Sequence, residues 1–419
     1  MAERNDGTKL RLWTAILVFG VGVSSIGDFI YLVALNLFVW NETHSAAAVA
    51  GLWVVSRIAA LLVGPWAGSV TDRLPHRKQL IGLEITRAVL IGILPLLSDI
   101  SLIYLILFLL GICSTFFGNA FLPYQTTLIP KEHRKRVNSI ISTLKYGAFL
   151  IGPAIAGVFL AHGETAVALW LDAVSFLVSG ITLFLLPNFP ALEAKSSGKR
   201  AWLFVQEDWR EALGFLRNHA LFTSLFSLNA GTMILALTAD SQEVVFAQDA
   251  LGLGEFGYGM MVVAAGVGAV SGSFILAWVA KYLKNEVLIG AGQFFSAIGY
   301  LIYALSHNFW WAVAGLVVLG LFGSAANVGF TTYVQHTVPV SRMGRINNVF
   351  GPLQQIFSII FILCGGFAAT AYGVRSLMIA MTLPMCSMGL IMAILVFVPQ
   401  NRLKVSEAGV SHTKESGSS

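Results

Sequence analysis

The chain has 419 residues, of which 56% are hydrophobic and only 11% charged, with a formal net charge of +5. A soluble globular domain carries about a quarter of its residues charged, so this composition excludes an ordinary water-soluble enzyme, a disordered chain and a nucleic-acid binder. A membrane-spanning helix needs about 20 apolar residues, and the chain is long enough for twelve of them with short loops.

Taken in order, the apolar runs predict spans over 12–40, 46–70, 80–98, 101–128, 137–160 and 166–187, then 221–247, 257–280, 287–305, 309–334, 346–371 and 376–398. The first run is too long for the apolar core of a signal peptide and reads as a retained span. An even number of spans puts both termini on one side. With the N-terminus inside, the inward segments hold 22 of the 26 Lys and Arg residues, and the outward loops hold one, Arg375. That asymmetry predicts a multi-pass protein of the plasma (inner) membrane with both termini cytoplasmic. Cys113, Cys364 and Cys386 fall in apolar runs without metal or redox spacing and read as small buried side chains.

The chain also repeats itself. Residues 111–130 laid on 320–339, a spacing of 209, match at Gly111/Gly320, Phe121/Phe330, Tyr124/Tyr333 and Pro130/Pro339, then at Arg136/Arg345 and Asn138/Asn347. Two parallel six-helix halves related by an axis along the membrane normal are a transporter architecture. The expected organisation is an all-α membrane protein of two pseudo-symmetric six-helix bundles, 1–187 and 220–398. The stretch 188–219 is a cytoplasmic linker in which Trp202, Val205, Trp209, Leu213 and Leu216 form an amphipathic interfacial helix. A disordered cytoplasmic tail, 399–419, follows.

Charged residues inside the spans are expensive and mark candidate sites. At ~1.5 Å per residue, counts from Arg11 and from Ala46 put Asp28 and Arg57 at similar depth on consecutive helices, so the two are predicted to pair. Asp172 and Asp240 are further acids within spans, each near the outer side, where Asp172 reads as a hydrogen-bonding structural group. Glu243 reads as an ordinary solvated charge. Glu84 and Arg87, three apart on one helical face, read as a structural pair near the cytoplasm.

The most specific pattern follows span 2, with Gly68, Asp72, Arg73, Arg77 and Lys78 around a tight loop. It resembles the loop signature G-x-L-A-D-R-x-G-R-K of the major facilitator superfamily, with Pro75-His76 where the signature has its second glycine. The resemblance implies that Asp72 latches onto the N-terminal end of the eleventh span, where a helix dipole favours a carboxylate. Gly152, Pro153 and Gly157 in span 5 resemble the exporter signature G-x-x-x-G-P-x-x-G-G, with Ala156 in place of one glycine. Glu84-Ile-Thr-Arg87 and the segment around Asp172 resemble the macrolide-efflux and enterobactin-exporter-like branch.

The resemblance implies a secondary exporter of hydrophobic or amphipathic compounds, drug-like or siderophore-like, exchanged for protons; the expected partners are these compounds, protons and membrane lipid, with the chain a monomer. Asp28, Arg57, Asp172 and Asp240 are the proton-coupling candidates. An importer or a lipid flippase on the same fold is the alternative. The eight histidines fall singly at loops and span ends, which does not fit a lipid enzyme, and no phosphate-binding glycine loop for ATP, metal cluster or cofactor motif is present in the sequence.

Overall fold

The computed structural model of the protein describes residues 2–71, 74–189, 210, 214–279, 283–338 and 340–398. Its long helices are α1 (Ala2–Thr43), α2 (Ala46–Thr71), α3 (His76–Ile93), α4 (Ile100–Leu128), α5 (Lys131–Ala161) and α6 (Thr165–Leu185). In the second half they are α7 (Ala220–Asp240), α8 (Glu255–Val279), α9 (Asn285–Ala304), α10 (Phe309–Thr337), α11 (Val340–Tyr372) and α12 (Val374–Phe397). Each contains a stretch long and apolar enough to cross a membrane.

Local chemistry sets where the helices stop. Asp99 accepts the Ser101 amide at 2.8 Å and starts α4, and Asn308 accepts the Trp311 amide at 3.0 Å and starts α10. The turns α5–α6 and α11–α12 need a residue at positive φ, which glycine supplies at Gly163 (φ 75°) and Gly373 (φ 84°). The seventh span ends earlier than its apolar run. Ser241 turns its hydroxyl onto Thr238 O at 2.7 Å, α7 stops at Asp240, and a short turn at Glu243–Val245 and a π turn at Phe246–Ala250 follow.

The chain forms two compact units. One holds α1–α6 together with Gly254–Val263, the opening turns of α8, and the other holds α7, the rest of α8 and α9–α12. In the first, α1 packs on α5 and α6, α2 on α4, and α3 on α4 and α6. Gly157 and Gly259 meet there, a Cβ at Gly259 falling 2.9 Å from Gly157 Cα, and Asn41 donates to Glu255 Oε1 at 2.6 Å. In the second, α9 packs on α10 and α12, and α7 on α11 and α12. Of the predicted linker, residues 190–209 and 211–213 lie outside the described residues, as does the tail 399–419. Phe215, at the linker's end, is buried in the second unit and stacks on His219 at 4.1 Å.

The repeat is visible as one core built twice. Leu17, Leu80, Tyr124, Ile129, Ile141 and Leu183 belong to the apolar core at one end of the first unit. At the same spacing of 209, Phe226, Ile289, Tyr333, Val338, Phe350 and Met392 belong to the core of the second. Gly111 lies against Ser56 and Ala59 of α2, and Gly320 against Ala265, Gly268 and Ala269 of α8. In lipid, helices gain nothing by hiding apolar surface from water, so such close small-residue contacts carry the association.

A methyl group on Gly320 would fall 2.5 Å from Ala265 O and from Ala269 N, both rigid backbone atoms. Gly320→Ala is therefore expected to destabilise the second unit by about 1–3 kcal/mol, read as a lowered thermal midpoint in detergent. Gly82→Ala, with nothing within 4 Å of the added methyl, is the control and should leave the midpoint unchanged.

Candidate functional site

The polar interior of the first unit is organised by a stripe on α6. Asp172, Ser175, Ser179 and Thr182 recur every three or four residues and so share one helical face, and all four are buried. That face meets α1 at two glycines seven residues apart. Gly27 lies against Ser175 and Asp172 Oδ1, and Gly20 against Thr182. Any side chain at either position would push α1 off the stripe.

The ion pair of α3 completes the cluster. Arg87 Nη1 lies 3.7 Å from Glu84 Oε2, and Ser179 donates to Glu84 Oε1 at 2.9 Å. Arg87 Nη2 donates to Ser114 Oγ of α4 at 2.9 Å. The guanidinium is flanked by Phe117 and Phe176, whose ring centroids are 4.9 and 4.7 Å from Cζ. Because α3 starts at His76, Arg87 is eleven residues in, about 16 Å along the helix. Arg87 thus lies about halfway along the span His76–Leu96, with Glu84 one turn nearer its start.

Asp28 has accessible surface although it lies deep in the bundle, because it faces internal space. Asp28 and Arg87 both line a cavity of about 330 Å³ with Tyr31, Ser56, Ser114 and Thr115. They also both line a second of about 180 Å³ with Glu84, Lys145, Ser24 and Phe121. Arg87 first and Lys145 second act on Asp28. Packing brings these groups near it, because α1 lies chiefly against α5 and α6. Asp172 is fully buried, not water-reachable. It accepts from Ser175 at 3.1 Å and feels the charge of Asp28. Arg87 acts on Asp28, Glu84 and Asp172 alike.

Of the loop signature, Asp72 and Arg73 lie outside the described residues. Arg77 donates from Nε to Leu183 O at 3.1 Å and from Nη2 to Phe184 O, so it holds the end of α6, while Lys78 is exposed. Gln79, which the sequence does not single out, donates to Thr71 O at 2.7 Å and to Leu74 O at 3.1 Å. Gly68 has room beside it, with Asn119 Oδ1 3.9 Å from the position of a Cβ. In the exporter-like signature, Gly152 fits against Phe29 Cβ and Ile26 O of α1, 2.6 and 3.0 Å from an added Cβ, while Pro153 O and Gly157 border Gly259.

In the second unit Tyr300 donates to Asp240 Oδ1 at 2.7 Å. Glu243, expected to be a solvated charge, is largely enclosed in the turn after α7. Burial first, and the Asp240 charge second, push its carboxyl from 4.5 up to about 8. Arg375, the base expected on the outward side, donates to Ser306 O at 2.5 Å and to Ala250 O at 3.1 Å and so ties the start of α12 to two other segments. Cys364 is exposed on α11, not buried as expected; Cys113 is buried. Among the described residues, no group of three or more His, Cys, Asp and Glu side chains could hold a metal ion.

Folding favours the neutral form of Glu243. Its contribution is full below 4.5 and is lost as pH rises through about 8. The thermal midpoint should fall across that window and level off above it, and Glu243→Gln should remove this part of the slope.

The family model described as Major Facilitator Superfamily matches the chain over residues 17–245 and 241–415. Macrolide efflux protein A of Streptococcus pyogenes is 20% identical over 380 residues, covering 89% of this chain and 93% of that protein. The multi-drug resistance efflux pump PmrA of Streptococcus pneumoniae is 25% identical over 374 residues, covering 84% and 87%. Among solved structures, a bacterial homologue of the human lysosomal transporter Spinster, inward-facing and unoccupied, superposes with a TM-score of 0.69 at 14% identity, covering 95% of this chain and 98% of that one.

Proposed function

The chain belongs to the Major Facilitator Superfamily, and we propose that it is a proton-coupled exporter of hydrophobic or amphipathic small molecules, oriented with both termini in the cytoplasm. One observation carries the coupling. Asp28, Glu84, Arg87 and Lys145 line one internal cavity and Asp172 is buried within the field of Arg87, so three carboxyls stand against two cations. An arginine keeps its charge at any working pH, so the cluster balances when one carboxyl holds a proton. Asp28 is the exposed member and takes that role; Glu84 and Asp172, each hydrogen-bonded to a serine of α6, hold Arg87 and α1 in place.

The larger cavity suits the cargo. Ile91, Leu110 and Phe176 give it apolar walls, and Ser114, Thr115 and Tyr31 give it hydroxyls. An acid, a base and four hydroxyls face apolar and aromatic walls across it, a mixed lining that suits compounds with both polar and apolar parts. The names of the efflux relatives support export, and the basic residues of the inward loops support the orientation. Asp240, hydrogen-bonded to Tyr300 at the far end of α7, is a second acid for the coupling to use.

In inverted vesicles with an imposed pH gradient and a panel of labelled amphipathic compounds, the wild type should accumulate cargo in the direction that corresponds to export. Asp28→Asn should abolish the pH-driven component and keep downhill movement. Undiminished pH-driven accumulation in that variant would remove Asp28 from the coupling. Arg87→Ala should instead cost about 3–5 kcal/mol of stability, because it strands buried carboxylates.

Orientation has its own check. With Cys113, Cys364 and Cys386 replaced, single cysteines at the exposed positions Glu164 and Asp249 should react with an impermeant thiol reagent from outside. Cysteines at the exposed positions Lys78 and Arg136 should not. The opposite pattern would invert the topology.

A further inference from the structure

On the lipid side of the seam between α1 and α6 lies an apolar groove of about 440 Å³, walled by Ala15, Ile16 and Phe19 of α1 and by Val178, Ile181 and Leu185 of α6. Its one hydroxyl, on Thr182, is spent on Ser179 O at 2.7 Å. Phe19, Ile181 and Leu185 are 58%, 62% and 59% exposed, so the walls are open to the surroundings. Val178 to Leu185 spans seven residues, about 10 Å at the helical rise, or about a third of a ~30 Å hydrocarbon core. The groove ends where α6 ends.

Two bases stand below it. Lys9 and Arg11 are both exposed and lie four to seven residues before Ala15 and Ile16, about 6–10 Å further toward the helix start. At 100° per residue they flank the face that carries Ala15, Ile16 and Phe19, with Leu12, 58% exposed, between them. Neither is joined to a carboxylate among the described residues. Arg77, the base at the end of α6, is already committed to the carbonyls of Leu183 and Phe184.

We propose that the groove and these two bases form a binding site for one anionic phospholipid of the cytoplasmic leaflet, with an acyl chain against Phe19 and Ile181 and the headgroup over the face that Lys9 and Arg11 flank. An apolar groove alone accepts any lipid tail; two uncommitted cations at headgroup depth select an anionic one. The site also touches the transport machinery. Thr182 borders both the groove and the inner cavity beside Glu84 and Lys145, and Gly20 packs directly on it. The wall between bound lipid and cavity is one side chain thick, so a seated chain braces the seam that positions Asp28. The leaflet assignment rests on the orientation proposed above; the binding itself does not.

The test uses the full purified chain in detergent. Phosphatidylglycerol should raise the thermal midpoint saturably, phosphatidylcholine with the same acyl chains should raise it less, and inorganic phosphate should leave it unchanged. Replacing both Lys9→Gln and Arg11→Gln, exposed positions outside the packed core, should raise the half-saturating phosphatidylglycerol concentration about 30-fold. Ile181→Trp, which fills the groove, should weaken the response to both lipids. Equal responses to the two lipids, a wild-type midpoint concentration in the double variant, or a shift reproduced by inorganic phosphate would each overturn the site. A protein that fails pH-driven export yet keeps this lipid response would overturn only the exchange reading, and the reverse result only the lipid site.

Discussion

A guanidinium held halfway along a helix of membrane-spanning length constrains the first unit more than any other group. Arginine cannot shed its proton to escape a low dielectric, so Arg87 requires both counter-charge and hydrogen-bond acceptors wherever it sits. The fold answers with Glu84 one turn earlier on α3, Ser114 on α4, and two ring faces from Phe117 and Phe176. These partners come from three helices, so the pairing of α3 with α4 and with α6 is as much a solution for one charge as a result of apolar packing. Asp28 and Asp172 then lie within the field of the same cation. The charge of Asp28 also reaches Glu84 and Asp172 directly, so its protonation state bears on both.

The two halves share a scaffold and differ in chemistry. At the spacing of 209, Glu84 and Arg87 meet Gln293 and Ser296, which are also buried, at 7% and 8% exposure. The second unit keeps polar groups at the same register but no charge. Two of its own acids meet at the C-terminal end of α7, where Tyr300 holds Asp240 and the turn encloses Glu243. Duplicated apolar cores such as Leu80/Ile289 and Tyr124/Tyr333 need only volume and shape, so both copies keep them. An ion cluster needs several partners at once, so it is retained whole or replaced by neutral groups.

Much of this was legible in the sequence, for stated physical reasons. Span existence follows from apolar length, and the repeat follows from residues such as Tyr124/Tyr333 and Gly111/Gly320 that occupy the same contact in each half. That Arg87 and Lys145 act on Asp28 was not legible. Depth along a helix is a count of residues, but which neighbour a helix faces is set by rotation and packing, and α1 turns its polar side to α5 and α6. A signal for that was present in the stripe of Asp172, Ser175, Ser179 and Thr182 and in Gly20 and Gly27, seven apart. Polar residues on one face of an apolar helix want a close neighbour, and glycines at a heptad spacing supply one. The early end of α7 was equally hidden, because Val244 to Ala247 are apolar enough to continue a span while Ser241 terminates the helix with its own side chain.

The loop signature shows how one motif can do two separable jobs. The last carbonyls of a helix carry its negative dipole end and lack intrahelical donors. At α6 those of Leu183 and Phe184 are taken by Arg77, whose guanidinium also lies over the Phe184 ring at 5.3 Å, and Tyr124 takes Pro187 O at 2.8 Å just beyond. On the other side of the loop, Gln79 takes Thr71 O and Leu74 O at the end of α2. The first turn of α3 therefore holds the ends of both α2 and α6. A displacement of α3 carries those two ends with it, and through Glu84 and Ser179 it carries the middle of α6 as well. A basic residue that reads in sequence as a marker of orientation is thus also the clamp through which the charge cluster and the loop move together.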